Sequence, residues 1–248
     1  MKSFGEQEEH HAREITVDEI KETIKAFGEA TKRVIDAGFD GVEIHGANHY
    51  LIHQFVSPYY NRRDDEWGED RLKFASEVID EVTETVKKYG SKDFIVGYRL
   101  SPEEAESPGI SMEITETLVK HLIEKPLDYL HVSLMDIHSK TREGKYKGQE
   151  RVQLLLEWMD GRMPLIGIGS IFTADQAIEA IESTKVDLIA LGREILLDHN
   201  FISKIKDGKE DEIISQFDPE RKDRHHLPPN LWDQFNRGFY PLPRTDNK

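Results

Sequence analysis

Apolar positions along this chain switch between two periods. After a polar lead-in, "TVDEIKETIKAFGEATKRVIDAG" sets Ile20, Ile24, Phe27, Val34 and Ile35 near the spacing of one helix face. Thr16 is placed to cap the start of that helix and Gly38 to end it. Short continuous apolar runs follow: "GVEIH" from Gly41, "FIVGYRL" from Phe94, "DYLHVSL" from Asp128, "PLIGIGS" from Pro164 and "DLIALGR" from Asp187. Such runs predict strands buried on both faces. Between them the helical period returns over about Arg71–Tyr89, Met112–Glu124, Gln149–Met159 and Thr173–Ser183. This alternation predicts an α/β domain of parallel strands joined by right-handed crossovers.

No low-complexity linker interrupts the pattern, so one domain is expected over residues 1–217. The tail from Asp218, residues 218–248, breaks it with prolines, aromatics and arginines, and is expected to form an arm packed on itself or on a neighbouring subunit. Composition narrows the function. Lys and Arg total 33 against 48 Asp and Glu, and the resulting formal charge of −15 repels phosphate backbones and anionic lipid surfaces. Neither nucleic acid nor a membrane is an expected partner. With no cysteine there is no disulfide framework, no thiolate-held zinc and no iron–sulfur cluster. No window reaches the roughly 20 apolar residues of a membrane span, and "MKSFGEQEEHHARE" has no apolar leader. A soluble, cytoplasmic protein is the expectation.

Parallel α/β folds carry their chemistry at the C-terminal ends of their strands. His45, Arg99, Ser133, Gly169 with Ser170, and Gly192 with Arg193 all fall at or just beyond those ends. Each is equally explained, taken singly, as a cap or a turn. The segment "HGANHYLIHQF" repeats histidine every fourth residue, at His45, His49 and His53, which on one continuous helix would line a metal-binding face. The loop expected after His45 breaks that phase, and no HExxH pattern is present, so no metal is expected. His53 then reads as a packing or supporting group on a short helix "YLIHQF", and His49 as a loop residue. His45 and Asn48 can both donate hydrogen bonds to one oxygen, and Tyr50 can supply a proton. On chemistry alone, the simpler reading is favoured, that His45 and Asn48 merely satisfy backbone groups in the loop.

The stretch "GFDGVEIHGANHYLIHQFVSPYYNRRDDEWG" strongly resembles the fourth-strand signature of the old yellow enzyme family of FMN-dependent NAD(P)H oxidoreductases. His45, Asn48, Tyr50, Leu51, Ile52, His53, Ser57, Pro58, Asn61, Arg63 and Asp65 stand in register with it. The resemblance implies a TIM (β/α)8 barrel with FMN across its C-terminal mouth and NADH or NADPH as hydride donor. His45 and Asn48 would hold the carbonyl oxygen of an α,β-unsaturated substrate of enone type, with Tyr50 protonating the α-carbon. Arg99 matches an arginine beside the flavin pyrimidine, where a permanent cation stabilises the reduced ring. "GIGSIFTADQA" and "ALGREIL" match the phosphate segments, so Gly169, Ser170, Gly192 and Arg193 would cradle the FMN phosphate.

Against that family the chain shows only strands four to eight, a partial barrel. Closure is then expected from a second copy or a complementing chain, because an open arc leaves strand edges unpaired. A catalytically impaired fragment or subunit is the alternative reading. A sugar-phosphate aldolase or isomerase barrel is a third, but it needs a strand-end lysine or carboxylate base that is not evident. "DDEWGEDRLKF" is shorter than the family loop, with Arg71 expected to open the next helix. The lack of cysteine places the chain with the FMN-only members. "FNRGFYPLPR" resembles arms that reach a neighbouring subunit, with Arg237 as the arginine to follow.

Overall fold

The computed structural model describes residues 13–239 and 241–246; the leader expectation falls largely on residues 1–12 and lies outside them. The five apolar runs form one parallel sheet in chain order: β1 (Gly41–Gly46), β2 (Ile95–Leu100), β3 (Tyr129–Val132), β4 (Leu165–Ile168) and β5 (Leu188–Ala190). Between them run α1 (Val17–Asp36) before β1; α2 (Leu51–Val56), α3 (Glu66–Glu69) and α4 (Lys73–Tyr89) before β2; α5 (Met112–Leu122); α6 (Arg151–Met159); and α7 (Ala174–Thr184). After β5 come α8 (Arg193–Leu197), α9 (Phe201–Lys206), a 3₁₀ turn at Glu210–Glu212, and α10 (Pro229–Asn236).

Local chemistry accounts for the helix ends. Thr16 and Glu19 form a reciprocal capping box at the start of α1, and Thr173 with Gln176 does the same for α7. Each box satisfies two otherwise orphaned amides. Arg71 does not open a helix: α4 starts at Lys73, after a turn in which Asp70 Oδ1 accepts from the Leu72 amide at 3.0 Å.

The strands are not buried on both faces. Successive side chains alternate across a strand, and only one set meets helices: Ile44, Val96, Tyr98, Leu100, Leu130 and Val132 are buried. Against them pack Phe74, Val78 and Ile79 of α4 and Ile20 of α1, all fully buried, and the Phe55 and Phe74 rings stack with centroids 4.2 Å apart. Burying such a side chain stabilises the fold by about 1.5–3 kcal/mol. The other face is concave and half open, with Ile95 46% exposed and Leu188 53% exposed. Apolar residues on it include Ile95 and Leu188, as on a barrel wall facing a core, yet among the described residues no opposite wall covers them. β1 pairs only with β2 and β5 only with β4, so both outer edges lack a partner strand among the described residues.

The tail packs on its own chain. Phe217, Trp232, Phe235 and Leu242 join Phe172 and Leu197 in a second, smaller apolar cluster. Arg244 lies over the Phe217 ring and ties to Asp246 at 2.7 Å. Among the described residues no helix is long and apolar enough to cross a membrane.

Candidate active site

The concave face is where the polar residues collect. β1 and β2 pair His45 with Arg99 and Glu43 with Gly97, while β2 and β3 pair Gly97 with Tyr129 and Arg99 with His131. A Cβ on Gly97 would lie 2.0 Å from the Tyr129 ring, so the glycine lets that ring cross β2 toward Glu43. Glu43 Oε2 accepts from Tyr129 Oη at 3.1 Å and lies 2.9 Å from His131 Nδ1. Burial alone would raise the Glu43 pKa, but His131 and Tyr129 outweigh it and hold the carboxylate below its usual range.

His45 ends β1 at the mouth of the arc. Burial first, and then the Arg99 guanidinium, lower its pKa, so the ring is neutral at pH 7 and offers one N–H. The chain turns sharply after Gly46, with Asn48 and His49 both in the left-handed region at φ 56° and 61°. Asparagine adopts that conformation more readily than most residues. Two hydroxyls fix the Asn48 side chain: Oδ1 accepts from Ser133 Oγ at 2.9 Å and from Ser101 Oγ at 3.3 Å, while the Asn48 amide donates to Ser101 Oγ at 2.9 Å. With its carbonyl so held, Asn48 has its two Nδ2 protons left to donate. Tyr50 stands at the start of α2, 62% exposed, its ring 5.2 Å from that of His45.

Ser133 also accepts from Arg99 Nη2 at 3.0 Å, so one hydroxyl links Arg99 to Asn48. The Arg99 Nε is buried without a partner. Farther round the arc, Ser170 Oγ donates to the Met135 carbonyl at 2.7 Å and Arg193 Nη2 reaches Ser170 Oγ at 3.1 Å. Arg193 Nη1 donates to the Pro241 carbonyl at 2.8 Å, and its guanidinium lies 5.1 Å from the centre of the Phe172 ring. Gly169, at φ +137°, lets the chain pass the amides of Asp136 and Ile137, 2.7 Å from where a Cβ would sit. A Cβ on Gly192 would meet nothing within 4 Å, so that backbone is open to an incoming group. α8 is only five residues long. The positive potential at this end therefore comes from Arg193 and not from a helix dipole.

Six of the eight predicted site residues, Asn48, Arg99, Gly169, Ser170, Gly192 and Arg193, line one open cleft of about 450 Å³. His45, near the end of β1, and Tyr50, the N-cap of α2, are not among its lining residues. The cleft carries a guanidinium at each end, one of them with an unpaired buried donor. That donor set fits an elongated, anionic, planar cofactor such as FMN. Arg237 is exposed at the end of α10 and does not line the cleft.

Sequence reasoning missed Ser101, which orients Asn48, and two acids that follow it. His53 is buried with its Nε2 2.8 Å from Glu104 Oε2, and burial lowers its pKa despite that carboxylate. His49 is no bare loop residue: its Nε2 lies 3.6 Å from Glu106 and 3.9 Å from Glu104. The acidic run "SPEEAE" after β2 was the available signal.

Parallel strands in chain order, helices on one face, and polar and glycine residues gathered at the strand ends define one wall of a barrel-type fold. The chain belongs to the NADH:flavin oxidoreductase / NADH oxidase family, whose profile matches residues 2–212. It is 50% identical over 224 residues to a probable NADH-dependent flavin oxidoreductase, YqiG, of Bacillus subtilis, covering 89% of this chain and 60% of that protein. It is 37% identical over 227 residues to the NADH:acrylate oxidoreductase of Vibrio harveyi, covering 89% of this chain and 22% of that one. Among solved structures, morphinone reductase in complex with tetrahydroNAD superposes with a TM-score of 0.62 at 28% identity, covering 79% of this chain and 51% of that one. The chain thus spans 60% or less of the length of each of these three. The resemblance carried by the His45 segment and the partial-barrel fold are borne out.

Proposed function

We propose that this chain forms the substrate and phosphate side of an FMN-dependent oxidoreductase that uses NADH or NADPH to reduce activated alkenes. The observation that carries the reading is the fixed Asn48 amide beside a neutral His45, two donors available to one oxygen. FMN, when bound, supplies the hydride that the β-carbon of an α,β-unsaturated carbonyl or carboxylate accepts. His45 and Asn48 hold the substrate oxygen and stabilise the negative charge that develops on it, the role of an oxyanion hole. Tyr50 delivers the proton to the α-carbon, completing net addition of two hydrogens across the double bond. Arg99 would stabilise negative charge on the reduced flavin ring, and Ser170, Arg193 and the Gly169 and Gly192 backbone would hold the phosphate. The acrylate reductase among the relatives supports a conjugated substrate.

The exposed concave face and unpaired edges favour a second copy or a complementing chain that closes the barrel. They also favour the alternative, a subunit inactive until those strands are supplied. The test is to load the purified chain with FMN, remove the excess, and follow NADH and NADPH oxidation with and without an enone. Enone-dependent oxidation by flavin-loaded protein is expected. Oxidation that ignores the enone sinks the alkene assignment, and a folded chain that retains no flavin establishes the subunit reading instead.

A further inference from the structure

Four side chains behind the Asn48–Tyr50 loop have no part in the flavin reading. His49 and His53 flank the start of α2, their rings edge-on with centroids 4.8 Å apart. Facing them across the segment after β2 are two acids. Glu104 Oε2 lies 2.8 Å from His53 Nε2 and 3.9 Å from His49 Nε2, and Glu106 Oε2 lies 3.6 Å from His49 Nε2. One ligand atom from each of His49, His53 and Glu104 can be chosen so that all three lie within 4.8 Å of one another.

We propose that His49, His53, Glu104 and Glu106 form a structural site for a divalent transition ion of the Zn²⁺ type, which pins the loop bearing Asn48 and Tyr50. Two imidazoles and two carboxylates are donors zinc accepts, and the site needs no thiolate. Around a tetrahedral ion with bonds of about 2.0–2.1 Å, ligand atoms sit about 3.3 Å apart. The 2.8 and 3.9 Å separations of His53 and His49 from Glu104 bracket that value, and Glu106, 3.6 Å from His49, joins these three as the fourth ligand by a movement of its side chain.

Each carboxylate is anchored by one oxygen and presents the other. Glu104 Oε1 accepts from Ser57 Oγ and from the Ile110 amide, leaving Oε2 toward the imidazoles. Glu106 Oε1 accepts from Tyr60 Oη at 3.3 Å, while its Oε2 is buried with no hydrogen-bond partner. The 3.6 Å gap from that orphan oxygen to His49 Nε2 is too long for a hydrogen bond and fits two ligands of one ion. Supporting contacts of this kind are what orient metal ligands. Arg142 donates to the Glu104 main-chain carbonyl and not to its carboxylate.

The expectation of no metal rested on the broken helical phase. The break does remove His45, which turns to the concave face, but the rings of His49, before the helix, and His53, within it, still meet 4.8 Å apart, and the fold brings the acids from the segment after β2. With Glu106 drawn in beside the three mutually close ligands, no position is left for a substrate, so the proposed ion is structural rather than catalytic. It would hold His49, and with it the left-handed pair Asn48–His49.

The experiment is independent of flavin. Zn²⁺ is titrated into the full chain by calorimetry, and Co²⁺ into a second sample while its d–d bands are read in the red, beyond flavin absorption. One equivalent, with bands of tetrahedral intensity, is expected. Glu106→Gln and His49→Ala alter partly exposed side chains, so folding can be confirmed by circular dichroism; each should weaken binding by at least about 100-fold. His138→Ala, at the surface His138–Glu179 pair, should change nothing. Absence of tetrahedral bands overturns the proposal, as does binding that survives both Glu106→Gln and His49→Ala in folded protein.

Discussion

Ser133 joins the two ends of the chemistry, accepting from Arg99 and donating to Asn48. Removing its hydroxyl in Ser133→Ala releases Asn48 to other rotamers. Phenolic ligands, which mimic a substrate oxyanion, should then bind roughly 2- to 12-fold more weakly, the worth of a hydrogen bond at 0.5–1.5 kcal/mol. His45→Ala should weaken phenol binding further while FMN stays bound; unchanged affinity in a charge-transfer titration removes His45 from the oxygen-holding pair. Tyr50→Phe should slow alkene reduction by about 10²–10⁴ and flavin reduction by NAD(P)H far less. Equal effects on the two half-reactions would strip Tyr50 of its role. Glu194, at the start of α8, belongs to stability instead. Both its oxygens are buried without partners, and burial, then Asp198, push its pKa to about 8. A carboxyl whose pKa is raised on folding contributes its full stability below the unfolded value near 4.5, and loses it as pH climbs toward about 8. Glu194→Gln should therefore raise Tm at pH 8 and leave it unchanged at pH 4.5, by roughly 2–4 °C for each kcal/mol regained. Parallel melting curves with the same pH dependence would refute that.

At the scale of elements, helix boundaries were nearly legible in the sequence because caps are local: Thr16 and Thr173 bond within their own first turns. Burial was less legible. A run such as "FIVGYRL" reads the same whether one face or two is covered, and only the absent opposite wall leaves Ile95 exposed. The loop after β4 is the element on which the proposed phosphate cradle depends most. Gly169→Ala would push a methyl group against the Asp136 and Ile137 amides at a φ of +137°. It should cost about 1–3 kcal/mol in denaturant unfolding and release FMN. A variant as stable and as flavin-loaded as the parent would show that the loop adapts.

At the scale of the whole molecule, the five-stranded arc has two outer edges without a partner strand among the described residues. Amides on the unpaired edges of β1 and β5 should exchange hydrogen faster than those of β3, which is paired on both sides. Supplying closure, by a second copy or a complementing chain, should slow the edges selectively. Hydrogen exchange by mass spectrometry reads both, and equal protection across the five strands would contradict the open arc. The tail's aromatic cluster answers part of the surface problem by covering Phe172 and Leu197, and Pro241 reaches back to Arg193.

The sequence alone determined the strand–helix alternation and the family, because periodicity and contiguous motifs are local properties of the chain. It placed Asn48 in the site but not what orients it, since Ser101 and Ser133 lie 53 and 85 residues away. It saw His49 and His53 but not Glu104 and Glu106 opposite them, and it could not tell a strand with one wet face from one with none. Those were decided by the tertiary structure, where parallel pairing of β1 with β2 and β3 brings distant loops to one mouth and converts separate polar residues into a single constellation.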